Sequence, residues 1–277
     1  MRINNNIMAM NTHRNLGNST LAGAKSTERL SSGMRINRAG DDAAGLASSE
    51  KMRGQIRGLN QASRNAQDGI SLIQTTEGAL SEVHDIIQRM RELAVQSAND
   101  TNVNADRDEL NNEFVELVEE VGRIKDNTQF NTQNLLNGTA GDSGTVTIHV
   151  GANTGEQMEL NFDHSGINLS GIHGDLSGID ISDLSGANSG IDAINDVLET
   201  VSEGRSQLGA WQNRLEHTIK NLDNASENLQ AAESRIRDVD MAQEMMEFTK
   251  NNILQQAGQA MLAQANQAPQ GVLQLLG

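Results

Sequence analysis

Six histidines and thirty-seven aspartates and glutamates are the side chains with which this chain could do acid–base or metal chemistry. Three of the histidines, His149, His164 and His173, fall in a glycine-rich middle stretch. None has another histidine four residues away, the spacing that puts two ring nitrogens on one helix face, and no cysteine stands nearby to complete a metal site. There is no cysteine anywhere, so thiol nucleophiles and disulfides are excluded. HExxH, GxSxG and GxxxxGK[S/T] are all missing. Adjacent acids such as Glu119–Glu120 and Asp41–Asp42 are ordinary on solvated helices, and general acid–base work needs a concave frame around them. The residues point to no catalytic site, no metal and no cofactor, and the expectation is a protein that is not an enzyme.

The elements around these residues explain why. Four Phe, one Trp and no Tyr are a poor supply for a compact core, and 36% of residues are hydrophobic. Yet the polar remainder keeps helical spacing, which suggests long, thin helix packing rather than a globule. A single proline, Pro269, fits long helices. A net charge of −16 argues against nucleic-acid binding. The first 64 residues carry ten Lys/Arg against four Asp/Glu. That excess suits an anionic partner or, more blandly, solvated and paired charge on a polar face. No apolar segment follows MRINNNIMAM as in a cleaved secretory signal. No run approaches the ~18 apolar residues of a membrane span.

Counting in sevens organises the chain. Met52, Leu59, Ala66, Ile73, Leu80, Ile87 and Ala94 form one unbroken series, and Ile194, Val201, Leu208, Leu215, Leu222, Leu229 and Ile236 form another. Ile56, Ile70, Val83 and Met90 supply a partner stripe to the first; Val197, Ile219, Ala225, Ala232 and Val239 supply the second. These are coiled-coil seams, each extending over ~63 Å of helix axis. Equal seams on either side of a connecting region predict an up-then-down rod; an ordinary helical bundle is the alternative. Leu110, Phe114, Leu117, Val121 and Ile124 mark a third, shorter helix, reached through the turn NDTNVNADRD at 99–108.

The middle is a different material. Residues 139–190 hold ten of the 26 glycines, seven acids and no Lys or Arg. TVTIHV (145–150) and EQMELNF (156–162), joined by GANTG, alternate as a β-hairpin does. After them an LSG unit recurs at Leu169, Leu176 and Leu184, too degenerate for a calcium-binding β-roll, and reads as a low-complexity connector or small surface fold. The fold class expected is therefore mainly α: a long antiparallel coiled-coil rod with a small β-hairpin and a glycine-rich connector.

Both ends look dependent on a partner. From Asn251 to Gly277 no side chain is charged and ten of the 27 residues are Asn or Gln. Val239, Ala242, Met246, Ile253, Ala257, Ala260 and Met261 share one helical face, and Ile3, Ile7, Met10, Leu21 and Ala24 make a similarly weak stripe at the start. Such stripes are too thin to offset the entropy of ordering alone, so each end needs the other or a neighbouring subunit. Between the first helix and the rod lies RLSSGMRINRAGDDAAG (29–45), whose Gly33, Gly40 and Gly45 permit backbone turns and whose Asp41 or Asp42 caps the next helix.

These residues carry a resemblance. ERLSSGMRINRAGDDAAG (28–45), GLNQASRNAQDGISLIQTTEGALSE (58–82), IIQRMRELAVQSAND (86–100), TQFNTQNLLNG (128–138), LGAWQNRLEHTIKNLDNASENLQAAESRIRDVDMAQEM (208–245) and ILQQAGQAMLAQANQAPQGVLQLL (253–276) together resemble bacterial flagellin. The resemblance implies a subunit of the swimming filament. Residues 1–44 and 239–277 would form an inner helical domain with its spoke. Residues 45–138 and 191–238 would form the rod, and 139–190 a short variable region with a hairpin. Ile3, Ile7, Met10, Met246, Ile253, Ala257, Ala260 and Met261 would pack in the polymer. Arg35, Asn37, Arg38, Asp41 and Asp42 would form the spoke, its charges meeting neighbouring subunits.

Further partners implied are the flagellar export apparatus, a flagellin chaperone on the C-terminal helix, and the filament cap and hook–filament junction proteins. Export without a cleaved signal to an extracellular filament is implied as well. An animal Toll-like receptor that senses flagellin would meet Arg89, Leu93, Gln96 and Glu113, the first three expected on one available helix face. The chain departs from many relatives in its short middle, in ending LLG, and in Trp211, which is expected to pack under the hairpin. Competing readings are a hook–filament junction protein of the same lineage, a filament-displayed enzyme, which would need a nucleophile or metal motif, and a chemoreceptor-like coiled coil, which would need a membrane span.

Overall fold

The computed structural model describes residues 6–274; Ile3 lies outside them. The chain is mainly α, as the heptads predict. Its elements are α1 (Ile7–Ser32), α2 (Ala43–Ser97), α3 (Asn104–Asn127), β1 (Gln129–Phe130), β2 (Gln133–Asn134), β3 (Thr145–His149), β4 (Gln157–Asn161), α4 (Leu169–Ser177), α5 (Leu184–Arg237) and α6 (Met241–Gln274). Residues 1–54 with 228–277 form one compact unit and residues 55–227 a second.

In the second unit, α2 and α5 run antiparallel. Ser226 Oγ donates to Asn60 Oδ1 at 2.8 Å, Ser63 Oγ donates to Asp223 Oδ1 at 3.2 Å, and Gly69 lies against Leu215. Partner numbers thus fall along α5 as they rise along α2. Ala66, Ile73, Leu80, Ile87 and Ala94 are buried against a core that includes Ile194, Val201, Leu208 and Leu215, so the inner stretch of each predicted seam is core, while Met52, Leu59, Leu229 and Ile236 are half-buried. The third helix, α3, adds Phe114, Val118 and Val121 to the same core. The turn before α3 is held by Arg107, a buried cation whose guanidinium donates to the Ser97 carbonyl at 3.0 Å and the Asn99 carbonyl at 3.3 Å.

The hairpin β3–β4 pairs Val146 with Leu160 and Ile148 with Met158. Alternation sends these four toward the core and leaves Thr147 and Glu159 outward. The hairpin packs on helix glycines, because any side chain there would collide with it. A Cβ on Gly69 would lie 2.2 Å from Ile148 Cδ1, and one on Gly58 would lie 2.9 Å from Ala152. Phe162, following β4, meets Trp211 of α5 with ring centroids 5.7 Å apart and planes at 55°. Trp211 therefore packs beside the end of the hairpin, close to the place expected of it.

The LSG stretch differs from a low-complexity connector. Leu169, Ile172 and Leu176 stand on one face of α4 and are fully or almost fully buried, while Asn168 caps its start by accepting from Ser170 N at 2.9 Å. Apolar residues at i, i+3 and i+7 make this a short amphipathic helix, despite two helical glycines. Just before α4 the chain crosses α5 where backbone meets backbone: a Cβ on Gly204 would lie 2.0 Å from the Gly166 carbonyl oxygen.

In the first unit, α1 and α6 pack antiparallel through small and amide residues. Asn6 Nδ2 donates to the Ala265 carbonyl at 2.7 Å, and Gln255 Nε2 to the Ser19 carbonyl at 3.2 Å. Gly23 faces Gln255, and Gly258 faces Leu16. Arg29 meets the buried Glu244 at 3.4 Å. Gly33, in the left-handed region at φ 70°, ends α1.

Candidate assembly and recognition surfaces

The residues expected to form the spoke make a closed loop within the first unit. Arg35 N donates to the Arg237 carbonyl at 2.7 Å, and its guanidinium donates to the Ile236 carbonyl at 2.6 Å. Val239 N donates to the Gly33 carbonyl at 3.1 Å. Beneath them Ile36 is buried. Asp41 closes the loop: Oδ2 accepts from the backbone N–H of Asn37 at 3.3 Å and of Arg38 at 3.1 Å, and Oδ1 meets Lys25 Nζ at 2.6 Å. The Lys25 hydrogen bond, aided by these amides, lowers the Asp41 pKa to about 2. Asn37 Nδ2 donates to Ser32 Oγ at 2.9 Å. Asp42 caps α2, accepting from Gly45 N at 2.9 Å. Arg38 pairs with Glu28 at 2.9 Å, and Glu50 with Arg237 at 2.7 Å; the Arg237 hydrogen bond lowers the Glu50 pKa. Several of the charges expected to meet neighbouring subunits thus have partners inside their own subunit.

The stripe residues of α1 and α6 face away from the contact between those helices. Ile7, Met10, Met246, Ile253 and Met261 are between 55% and 68% exposed, and Ala257 and Ala260 are exposed too. Of the two partners open to each end, the other end uses small and amide groups and leaves the apolar stripe unfilled. Leu21, Met8, Met241, Met245 and Leu254 add to this exposed apolar surface.

Arg89 and Glu113, from α2 and α3, are brought together, with guanidinium–carboxylate distances of 3.1 and 2.9 Å. Arg89 also donates to Glu92 at 3.0 Å, and the two carboxylates, Glu113 first, raise its pKa. Gln96 is exposed. Leu93 departs from expectation. At 1% exposure it lies in the core cluster and not on an available face. Its neighbour Ala94 belongs to the α5 seam, but α2 is covered on more than one side, so a second row containing Leu72 and Leu93 is buried as well.

The histidines do not converge. His149 and His164 are exposed and His173 is half-buried on α4 against Gly122. Among the described residues no three His, Asp or Glu side chains gather as metal ligands, and no helix is long and apolar enough to cross a membrane. Sequence reading missed Arg29–Glu244, Lys25–Asp41 and the Arg107 clamp. Each joins residues whose pairing depends on how helices meet, and no local pattern marks it.

Residues 3–141 match the bacterial flagellin N-terminal helical region, and residues 191–276 match the bacterial flagellin C-terminal helical region. The flagellin of Halalkalibacterium halodurans is 70% identical over 276 residues, an alignment that takes in the whole of both chains. The chain belongs to the flagellin family. It is a structural subunit of the flagellar filament, and the exposed stripes of this flagellin belong to a self-polymerising protein. The crystal structure of Bacillus cereus flagellin is 31% identical, covers 57% of this chain and 88% of that one, and superposes with a TM-score of 0.50. A flagellar hook-associated protein from Vibrio parahaemolyticus covers 72% of this chain and all of its own at a TM-score of 0.61. At 13% identity, that second likeness concerns the fold alone.

Proposed function

We propose that this flagellin polymerises through the outward apolar faces of α1 and α6, with Ile7, Met10, Met246, Ile253, Ala257, Ala260 and Met261 as packing residues. The observation that carries the reading is their exposure in the subunit, where the α1–α6 contact is made by Gly23, Gly258, Gln255 and Asn6 instead. Residues 1–44 and 239–277 serve as the inner helical domain with its spoke, 45–138 and 191–238 as the rod, and 139–190 as the short variable region. Ile3 belongs to the same packing set by its place in the sequence stripe.

The same surface suits a chaperone that covers α6 before the export apparatus passes the subunit, without a cleaved signal, to an extracellular filament bounded by junction and cap proteins. Full-length identity to a flagellin favours the filament subunit over a junction protein. The test is Ile253→Asp. Sedimentable polymer should fall steeply while the thermal melt of the free subunit stays at the parental value. Parental polymer yield would remove this face from the interface.

A second reading concerns a Toll-like receptor of animals. The pairing of Arg89 with Glu113 beside exposed Gln96 supports one polar recognition surface on the free subunit, with Leu93 supporting it from beneath. Receptor activation by free Arg89→Ala protein should drop relative to the parent.

A further inference from the structure

The exposed apolar surface of the first unit is unusual in being built on thioethers. Of the eleven methionines, Met8 and Met10 on α1 and Met241, Met245, Met246 and Met261 on α6 are exposed large apolar side chains. Met90 and Met158, in the second unit, are 0% and 6% exposed. Met245 and Met246 line a shallow depression with Thr249, Lys250 and Ile253, so two sulfur-bearing chains sit beside the Ile253 anchor. Methionine suits an interface because its unbranched chain adapts to irregular gaps. It is also the apolar side chain most readily made polar, since oxidation to the sulfoxide places an S=O dipole where packing was apolar.

We propose that these exposed methionines are an oxidation-sensitive modification site that controls assembly: a peroxide-class oxidant acting on the free subunit blocks polymerisation, and burial in the polymer shields the same sulfurs. The inference rests on the assembly reading above. In the step, the peroxide O–O bond breaks, one oxygen bonds to Sδ, and the other leaves as water. Sulfur is oxidised by two electrons and the peroxide is reduced by two. The thioether becomes a sulfoxide without loss of carbon, so the two methionine-sulfoxide reductases, one for each epimer, reverse it with a dithiol that supplies two electrons and leaves the oxygen as water. Met90 and Met158 are buried and Met34 and Met52 half-buried, so oxidation begins at the six exposed methionines and spares the core of the second unit.

The experiment treats full-length free subunit with hydrogen peroxide, quenches it, locates added oxygen by peptide mass spectrometry, and measures polymer on filament seeds by sedimentation. Oxygen should appear at the six exposed methionines before Met90 and Met158. The critical concentration should rise about tenfold or more, the loss expected when one buried apolar side chain becomes polar. The pair of epimer-specific methionine-sulfoxide reductases with dithiothreitol should restore it, and a Met245→Leu/Met246→Leu protein should tolerate peroxide better than the parent. Preformed filament should take up far less oxygen at these positions.

Polymerisation at the parental critical concentration by subunit carrying sulfoxides there overturns the proposal, as does failure of the reductase pair to restore assembly of reduced protein. Untreated Ile253→Asp separates the two readings. If it polymerises normally, the assembly face itself is misplaced. If it fails to polymerise while oxidised parent succeeds, only the oxidation inference is lost.

Discussion

The Arg89 guanidinium on α2 grips the Glu113 carboxylate on α3 through two nitrogens, while Leu93, one turn along α2, is buried beneath that surface. The two neighbours therefore answer to different physics. Arg89 is half exposed, and an ion pair in water adds little to stability. Arg89→Ala should leave the denaturation midpoint nearly unchanged. Leu93→Ala opens a cavity and should cost about 2–5 kcal/mol. Urea titrations of both variants check this, and equal midpoints would mean Leu93 is not core. Any loss of receptor signalling in Leu93→Ala must accordingly be read against its stability.

The α2–α5 seam gives a sharper contrast. Leu215 is fully buried, so Leu215→Asp puts an unpaired carboxylate in the core and should cost several kcal/mol. Asp175 lies exposed on α4, and Asp175→Ala should be close to neutral. Thermal melts that ranked these in the opposite order would put the seam on other residues.

Two helical glycines should respond with opposite signs. Gly204 has the Gly166 carbonyl oxygen where its Cβ would stand, so Gly204→Ala should destabilise by about 1–3 kcal/mol through forced separation of the chains. Gly78 has open space around it, and Gly78→Ala should stabilise by about 0.5–1 kcal/mol through helix propensity. Differential scanning calorimetry distinguishes the two. A stabilised Gly204→Ala protein would show that the backbones part without cost.

The loop between α1 and α2 carries an acid dependence. Asp41 titrates at about 2 when folded against an ordinary value of 3.8, so its contribution is complete above about 4. It declines as pH falls and is gone once pH drops below about 2. Asp41→Asn removes the charge that Lys25 and the Asn37 and Arg38 amides bind. The stability difference between parent and variant should therefore be constant from pH 7 to about 4 and shrink between about 4 and 2. Melts across that range test it, and a difference that grew on acidification would reverse the assigned linkage.

The sequence by itself determined the long helices, the inner stretch of the two seams and the existence of the hairpin. Those features are local and periodic: heptad leucines and isoleucines and the alternating TVTIHV and EQMELNF fix them before any tertiary contact forms. Tertiary structure decided which face each helix presents. Leu93 reads as a flank of the Ala94 seam, yet it is core because α2 is covered on more than one side. Met246 and Ile253 read as a stripe seeking either the other end or a neighbouring subunit, and they remain outside because Gly23, Gly258 and Gln255 make the contact with α1 instead. The Lys25–Asp41 and Arg29–Glu244 pairs likewise await the chain's return, since residues up to 215 positions apart acquire a common partner only when helices pack. A period in the sequence reports how much surface a helix must bury, and packing geometry selects what buries it.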